Sequence, residues 1–245
     1  MKNAILILLV AAAGAVSAGC ATKPVATVES YTHTPYVPAA PIVDKVVLNK
    51  RFDQAWNELV ENLAANFFAV DQIDKESRFI SINASQDAGG IGRDRNWWLA
   101  YASCGESERR FAYDGREYSY AYPTLGADTY NTVYGDHVQF WAEVRPRVEA
   151  EIKMNIYLSP LDAGRTEMSV NARYKFTRYV DQDIYTYRNN GQYLFAQTVD
   201  DRSGSAITFT TRNAGQHPSD QTPPIMCYAT GRFESAVIDL VQQPR

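Results

Sequence analysis

The sequence predicts an α+β fold, an antiparallel β-sheet with an early helix and a C-terminal helix packed on one face and a loop-rich middle. Three observations carry this expectation. Phe52, Ala55, Trp56, Leu59, Leu63 and Phe67 recur at the three-and-four spacing of a helix with one apolar face. Ala150, Ile152, Met154, Ile156 and Leu158, and again Met168, Val170, Ala172, Tyr174 and Phe176, alternate with polar neighbours, as in a hairpin with one dry and one wet face. Near the end, Phe233, Val237, Leu240 and Val241 fall on one side of a second helix that Thr230 can cap.

Before any of these elements comes a leader. Met1-Lys2-Asn3 precedes an aliphatic run from Ala4 to Val16, the charged start and apolar length of a secretory signal. The run is too short for a permanent bilayer-spanning helix, which needs roughly 20 apolar residues. Ser17, Ala18 and Gly19 then lead into Cys20, and this resembles the lipobox of bacterial lipoproteins. The resemblance implies lipid attachment at Cys20, palmitate included, and a new N-terminus there. Several acyl chains hold a membrane far better than one. With Ala21 and Thr22 where an Asp would favour retention at the inner membrane, it also implies the periplasmic face of the outer membrane. Ser17 stands where the lipobox has Leu, and ordinary cleavage after Ala18 is the alternative.

Residues 1–19 are thus expected to be a lipoprotein signal peptide, and residues 20–44 the acylated cysteine and a Pro-rich tether. Pro24, Pro35, Pro38 and Pro41 lie there without helical or strand period. Stretched out, such a tether reaches roughly 80 Å at about 3.3 Å per residue. Residues 45–245 are expected to be a single α+β periplasmic domain.

Within that domain Val46 to Leu48 suit a short strand, Asn49 is a fair N-cap, and the first helix follows. Two short strands then flank the turn Asp74-Lys75-Glu76-Ser77. Strand, FDQAWNELVENL, acidic turn and β-branched strand resemble the helix-grip repeat of BamC-type subunits of the outer-membrane β-barrel assembly machine, over roughly residues 45 to 85. The resemblance implies architecture; it carries no functional residue.

From Ala88 to Val148 the texture is Gly, Asp and aromatic, expected as strands joined by irregular loops, with Asn96-Trp97-Trp98 strand-like. After the hairpin, residues 179–205 read as a polar segment, AITFTTR as a short strand and NAGQHPSDQTPP as turns.

Composition narrows the chemistry. Lys and Arg total 24 against 28 Asp and Glu, with no basic stripe, so no nucleic-acid partner is expected. Once Cys20 is assigned, Cys104 and Cys227 remain, and in an oxidising envelope an even pair reads as a disulfide; two buried thiols are the alternative.

Motif by motif, the bland reading is preferred. His33 in the tether, His137 and His217 read as surface or turn residues. The run GGIGRDR lacks a third glycine and a following helix, so it is no nucleotide loop. Asp181 with Asp183, and Asp200 with Asp201, lack a calcium-loop continuation, and Glu106 with Glu108 sit in a charged turn rather than a catalytic pair. No metal, cofactor or catalytic residue is therefore expected.

The aromatic middle offers either packing or a partner surface, with Trp97, Trp98, Tyr118, Tyr120 and Tyr122 as the candidates for contact. The functional expectation is a non-enzymatic, lipid-anchored outer-membrane protein that binds another envelope component, a protein. The alternatives are a carrier of a lipid or small apolar ligand, and an enzyme acting on cell-wall carbohydrate through carboxylates that only the fold would assemble.

Overall fold

In a computed structural model, residues 30–66, 68–85, 96–113, 116–134, 140–187, 193–200, 202–218 and 222–242 are described. The leader, Cys20, the first part of the expected tether, Phe67, the run 89–95, His137 and Asp201 lie outside the described residues. The architecture is α+β, mostly antiparallel sheet with an early and a C-terminal helix.

In chain order the first elements are β1 (Ser30–Thr34), β2 (Lys45–Leu48), α1 (Phe52–Ala65), β3 (Ala69–Asp74) and β4 (Phe79–Ser85). A 3₁₀ turn (Trp97–Ala100) leads to β5 (Ala102–Ser103), β6 (Glu106–Tyr113), β7 (Arg116–Pro123) and β8 (Tyr130–Tyr134). The long strands β9 (Phe140–Pro160) and β10 (Thr166–Tyr187) follow, then β11 (Tyr193–Val199), β12 (Ser205–Thr210), β13 (Gly215–Gln216), β14 (Met226–Ala229) and α2 (Arg232–Gln242).

The β9–β10 hairpin is the spine. Its register runs from Thr166↔Pro160 to Thr186↔Phe140, a ladder of roughly 70 Å at about 3.4 Å per residue. Shorter strands dock on it in relay: β4 and β8 along the outer edge of β9, and β2, β12 and β11 along that of β10. Between β2 and β12 the ladder continues through Val170 N–H to Asp44 O (2.8 Å) and Ala172 N–H to Thr211 Oγ1 (2.7 Å). Few backbone groups of β10 are thereby left unpaired, which a buried strand requires.

Even-numbered residues of both long strands face inward. In the half nearest the turn they meet α1 and α2 in one aliphatic core, with Leu59, Ile80, Ile152, Met154, Ile156, Phe176 and Val237 fully buried. Each such side chain contributes roughly 1.5–3 kcal/mol by leaving water. Asn62 Nδ2 donates to Leu240 O (2.5 Å) and Lys50 Nζ to Val241 O (2.7 Å), satisfying carbonyls at the open end of α2.

Two three-stranded sheets complete the fold, β1-β6-β7 and β13-β14-β5. The second is closed by a disulfide between Cys104 and Cys227, 123 residues apart and both buried. The expected pairing holds.

Several expectations change. Residues 30–44 do not form a tether: β1 pairs along its whole length with β6, Tyr36 lies against Tyr228, and Asp44 is ion-paired with Arg212. Ile42 fills the space beside Gly231, where φ is +80° and an added Cβ would stand 3.2 Å from Ile42 Cγ1. The strand went unseen because its inward residues, Tyr31 and His33, are themselves polar, so no apolar alternation marks it. Asn49 is not the cap of α1; Arg51 holds that position without a side-chain bond. The polar segment from 179 is the outer half of β10 and its return strand β11, whose exposure removes the hydrophobic signal.

Trp97 and Trp98 form a 3₁₀ turn instead of a strand. Strand alternation would send neighbouring rings to opposite faces, whereas here both are buried and Trp98 Nε1 donates to Leu125 O (2.9 Å).

Candidate functional site

Strand alternation sorts β1-β6-β7 into two faces. One presents Tyr31 and His33 from β1, Ser107, Arg109 and Phe111 from β6, and Tyr118, Tyr120 and Tyr122 from β7, in register Tyr31↔Arg109↔Tyr120 and His33↔Ser107↔Tyr122. This face covers the outer half of the hairpin, meeting Tyr130 and Val133 of β8, Val144 of β9 and Val180 of β10.

Arg109 organises the contact. Its guanidinium lies over Tyr31 (5.1 Å to the ring centre) and Tyr130 (5.0 Å), and its Nε donates to Tyr122 Oη (2.7 Å). Tyr122 and Tyr130 stack at 4.8 Å, and Phe111 stacks on Tyr118 at 5.1 Å. Burial pushes the Tyr122 phenol up to about 12 although Arg109 pulls the other way. Tyr122 is therefore a neutral acceptor at neutral pH, and the cation–π pairs contribute on the order of 0.5–2 kcal/mol each.

Of the five expected contact residues, Trp97, Trp98 and Tyr122 are core residues, so they cannot form a partner surface. Tyr118 and Tyr120 are half-buried on the tyrosine face, and Tyr120 Oη accepts from Asn131 Nδ2 (2.8 Å). Tyr118 also lines an open cleft of about 620 Å³ with Ser30, Arg110, Phe111, Ala112, Glu117 and Ser119.

A polar seam separates the aliphatic core from the tyrosine contact. Arg178 sits on the inward face of β10 between Phe176 and Val180, opposite Val148. His217 directly follows β13 and His33 lies on β1, so the three residues come from or next to three different sheets. A chain of hydroxyls leads to His33: Tyr31 Oη and Ser107 Oγ share a hydrogen bond at 2.9 Å, Ser107 Oγ and Thr124 Oγ1 one at 2.7 Å, and Thr124 Oγ1 and His33 Nδ1 one at 3.3 Å.

His33 and His217 are not the exposed turn residues expected. His217 is only 7% exposed, and burial, then the charges of Arg178 and His33, pull it down to about 4. Burial lowers His33 as well, the Glu106 backbone partly offsetting it. Sequence reasoning missed this seam because isolated histidines far apart in the chain carry no spacing to read.

The carboxylates are otherwise engaged. Glu234, fully buried, accepts from Tyr174 Oη (2.9 and 3.1 Å) and Thr211 Oγ1 (2.8 Å). Glu108 is held low by Arg110 and Ser119, while burial and Asp128 raise Glu106. Asp183 is held low by Thr198 and Arg145. Among the described residues no group of three or more His, Cys, Asp or Glu is arranged to hold a metal ion. Two further clefts of about 490 Å³ each flank residues 38–42, one bounded by Thr210 to Ala214 and the other by the start of α2.

Compared with protein families, curated proteins and solved structures, the chain finds no match.

Proposed function

We propose that the chain is a non-enzymatic, lipid-anchored protein of the bacterial cell envelope, held at the periplasmic face of the outer membrane through acylated Cys20. Its folded domain binds another envelope protein. The observation that carries this reading is a leader ending at Cys20 on a chain whose other two cysteines form a buried disulfide. Both features belong to chains that fold outside the cytoplasm. A binding role over catalysis is supported by the carboxylates: Glu234 is enclosed by hydroxyls, and Glu106 and Glu108 lie on the outward side of β6.

Intact-mass measurement on protein extracted from membranes should show acyl chains on Cys20, and Cys20→Ser should release the chain. An unmodified N-terminus on the membrane fraction would remove the anchor. A photo-crosslinker at Phe195, 57% exposed on the edge strand β11, or at Tyr118, should capture one envelope protein that the same group at the exposed Asn57 of α1 does not. Equal capture from all three positions would remove the binding role. A carried lipid, the second reading, would have to take the clefts beside residues 38–42, since Leu59, Leu63, Met154 and Phe233 fill the space between helices and sheet. Lipid that co-purifies with the chain tests it.

A further inference from the structure

Four buried polar atoms of the seam have no hydrogen-bond partner among the described residues: Nε of Arg178, both ring nitrogens of His217 and Nε2 of His33. Leaving such a group unpaired costs roughly 1–3 kcal/mol, and more when it is charged, so native proteins keep such groups few and each one calls for a partner such as an ion or a water. Here the four belong to three residues close enough for the charges of Arg178 and His33 to act on His217. Gly215, just before it, packs on β12, the strand that pairs with Arg178, and His217 is more than nine-tenths buried.

Their chemistry is donor-rich, and the remaining imidazole acceptor of His217 becomes a second donor once an anion favours its protonated form. A guanidinium is a permanent cation with donors only, and each imidazole brings at least one N–H. Among the described residues Arg178 has no ion pair; Phe176, Val180 and Val148 beside it are apolar, and the hydroxyl of Ser205, opposite it on β12, makes no hydrogen bond to its Nε. The hydroxyl chain from Tyr31 through Ser107 and Thr124 holds His33 by Nδ1, which leaves Nε2 as its free edge. A guanidinium whose Nε is buried beside imidazole N–H groups suits an oxygen anion, to which charge-assisted hydrogen bonds are the strong ones.

We propose that the seam of Arg178, His217 and His33 binds a small oxyanion, a carboxylate or phosphate-like group, which accepts hydrogen bonds from all three side chains. The site does not depend on the anchor or on the envelope partner. Burial together with the charges of Arg178 and His33 pulls the free imidazole of His217 down to about 4, and an anion between them would lift it.

The test is a titration of the full chain with sodium sulfate, and separately with sodium acetate, against sodium chloride at matched ionic strength. The carbon-bound imidazole resonances of His33 and His217 are followed. Expected is a saturable shift of both with sulfate or acetate that chloride does not produce, while the resonances of α1 stay in place. Which of the two saturates at the lower concentration shows whether the seam prefers a tetrahedral dianion or a planar monoanion. Arg178→Gln should weaken this binding at least about tenfold, the worth of one charge-assisted hydrogen bond. An identical response to all three salts overturns the proposal, as does unchanged affinity in a folded Arg178→Gln chain; the seam then holds ordered water. Should Arg178→Gln not fold, the salt comparison on the native chain decides alone.

Discussion

The two halves of the β9–β10 hairpin are built from the same pair of strands and are covered in different ways. Near the turn, α1 and α2 lie on Ile152, Met154, Ile156, Met168, Val170 and Phe176, and the residues between these point to water. Further out, a sheet of tyrosines and one arginine lies on Val144 and Val180, and residues 177–186 are half-buried on both faces. The first contact is stabilised by apolar area, which is non-directional. The second is stabilised by directional pairs, Arg109 between two rings and hydrogen-bonded to a third. The seam of Arg178, His33 and His217 marks the border between these two ways of covering a sheet.

The largest expected effect breaks the inner half. Replacing both Cys104 and Cys227 with Ala releases a 123-residue crosslink and should cost about 4 to 5 kcal/mol on the chain-entropy argument, read from urea unfolding. A loss below about 1 kcal/mol would mean that the small sheet adds little to the inner core. Leu59→Ala, at a fully buried position of α1, should cost roughly 2–5 kcal/mol through lost burial and a residual cavity. The same denaturation series checks it.

The seam gives a pH signature. Because His217 is held near 4 when folded against an ordinary 6.5, the unfolded chain binds more protons between those values. Stability is thus fully present above pH 6.5 and falls as pH drops toward 4, by up to about 1.4 kcal/mol per pH unit. His217→Gln should flatten this slope; an unchanged slope would place the titrating group elsewhere. At the outer half, Tyr122→Phe removes only the acceptor for Arg109 and should cost on the order of 1 kcal/mol, leaving the Tyr130 stack in place. If Tyr122→Phe cost as much as Leu59→Ala, the contrast between the halves would be gone.

How much of this was legible follows from what each element answers to. Both helices and the inner hairpin announce themselves because their residues face one apolar core, and burial on one side imprints a period of 3.6 or 2. β1, the outer part of β10 and the tyrosine face carry no such imprint: their inward positions hold Tyr31, His33, Arg109 and Arg178, which look like surface residues in any window. The aromatic segment was visible as a composition, yet whether its rings face a partner or the chain's own hairpin depends on pairings such as Ser30↔Arg110, 80 residues apart. The same distance hid the seam.

By itself, then, the sequence determined the α+β class, the two helices, the inner hairpin and the cysteines available to pair, because each is set by local periodicity or by count. Only the tertiary structure decided that residues 30–44 belong to the fold, that Trp97, Trp98 and Tyr122 are interior, and that Arg178, His33 and His217 lie close enough for their charges to interact. A polar side chain records nothing in the sequence about which way it points; its direction is chosen by the partner that satisfies it, and that partner comes from another sheet.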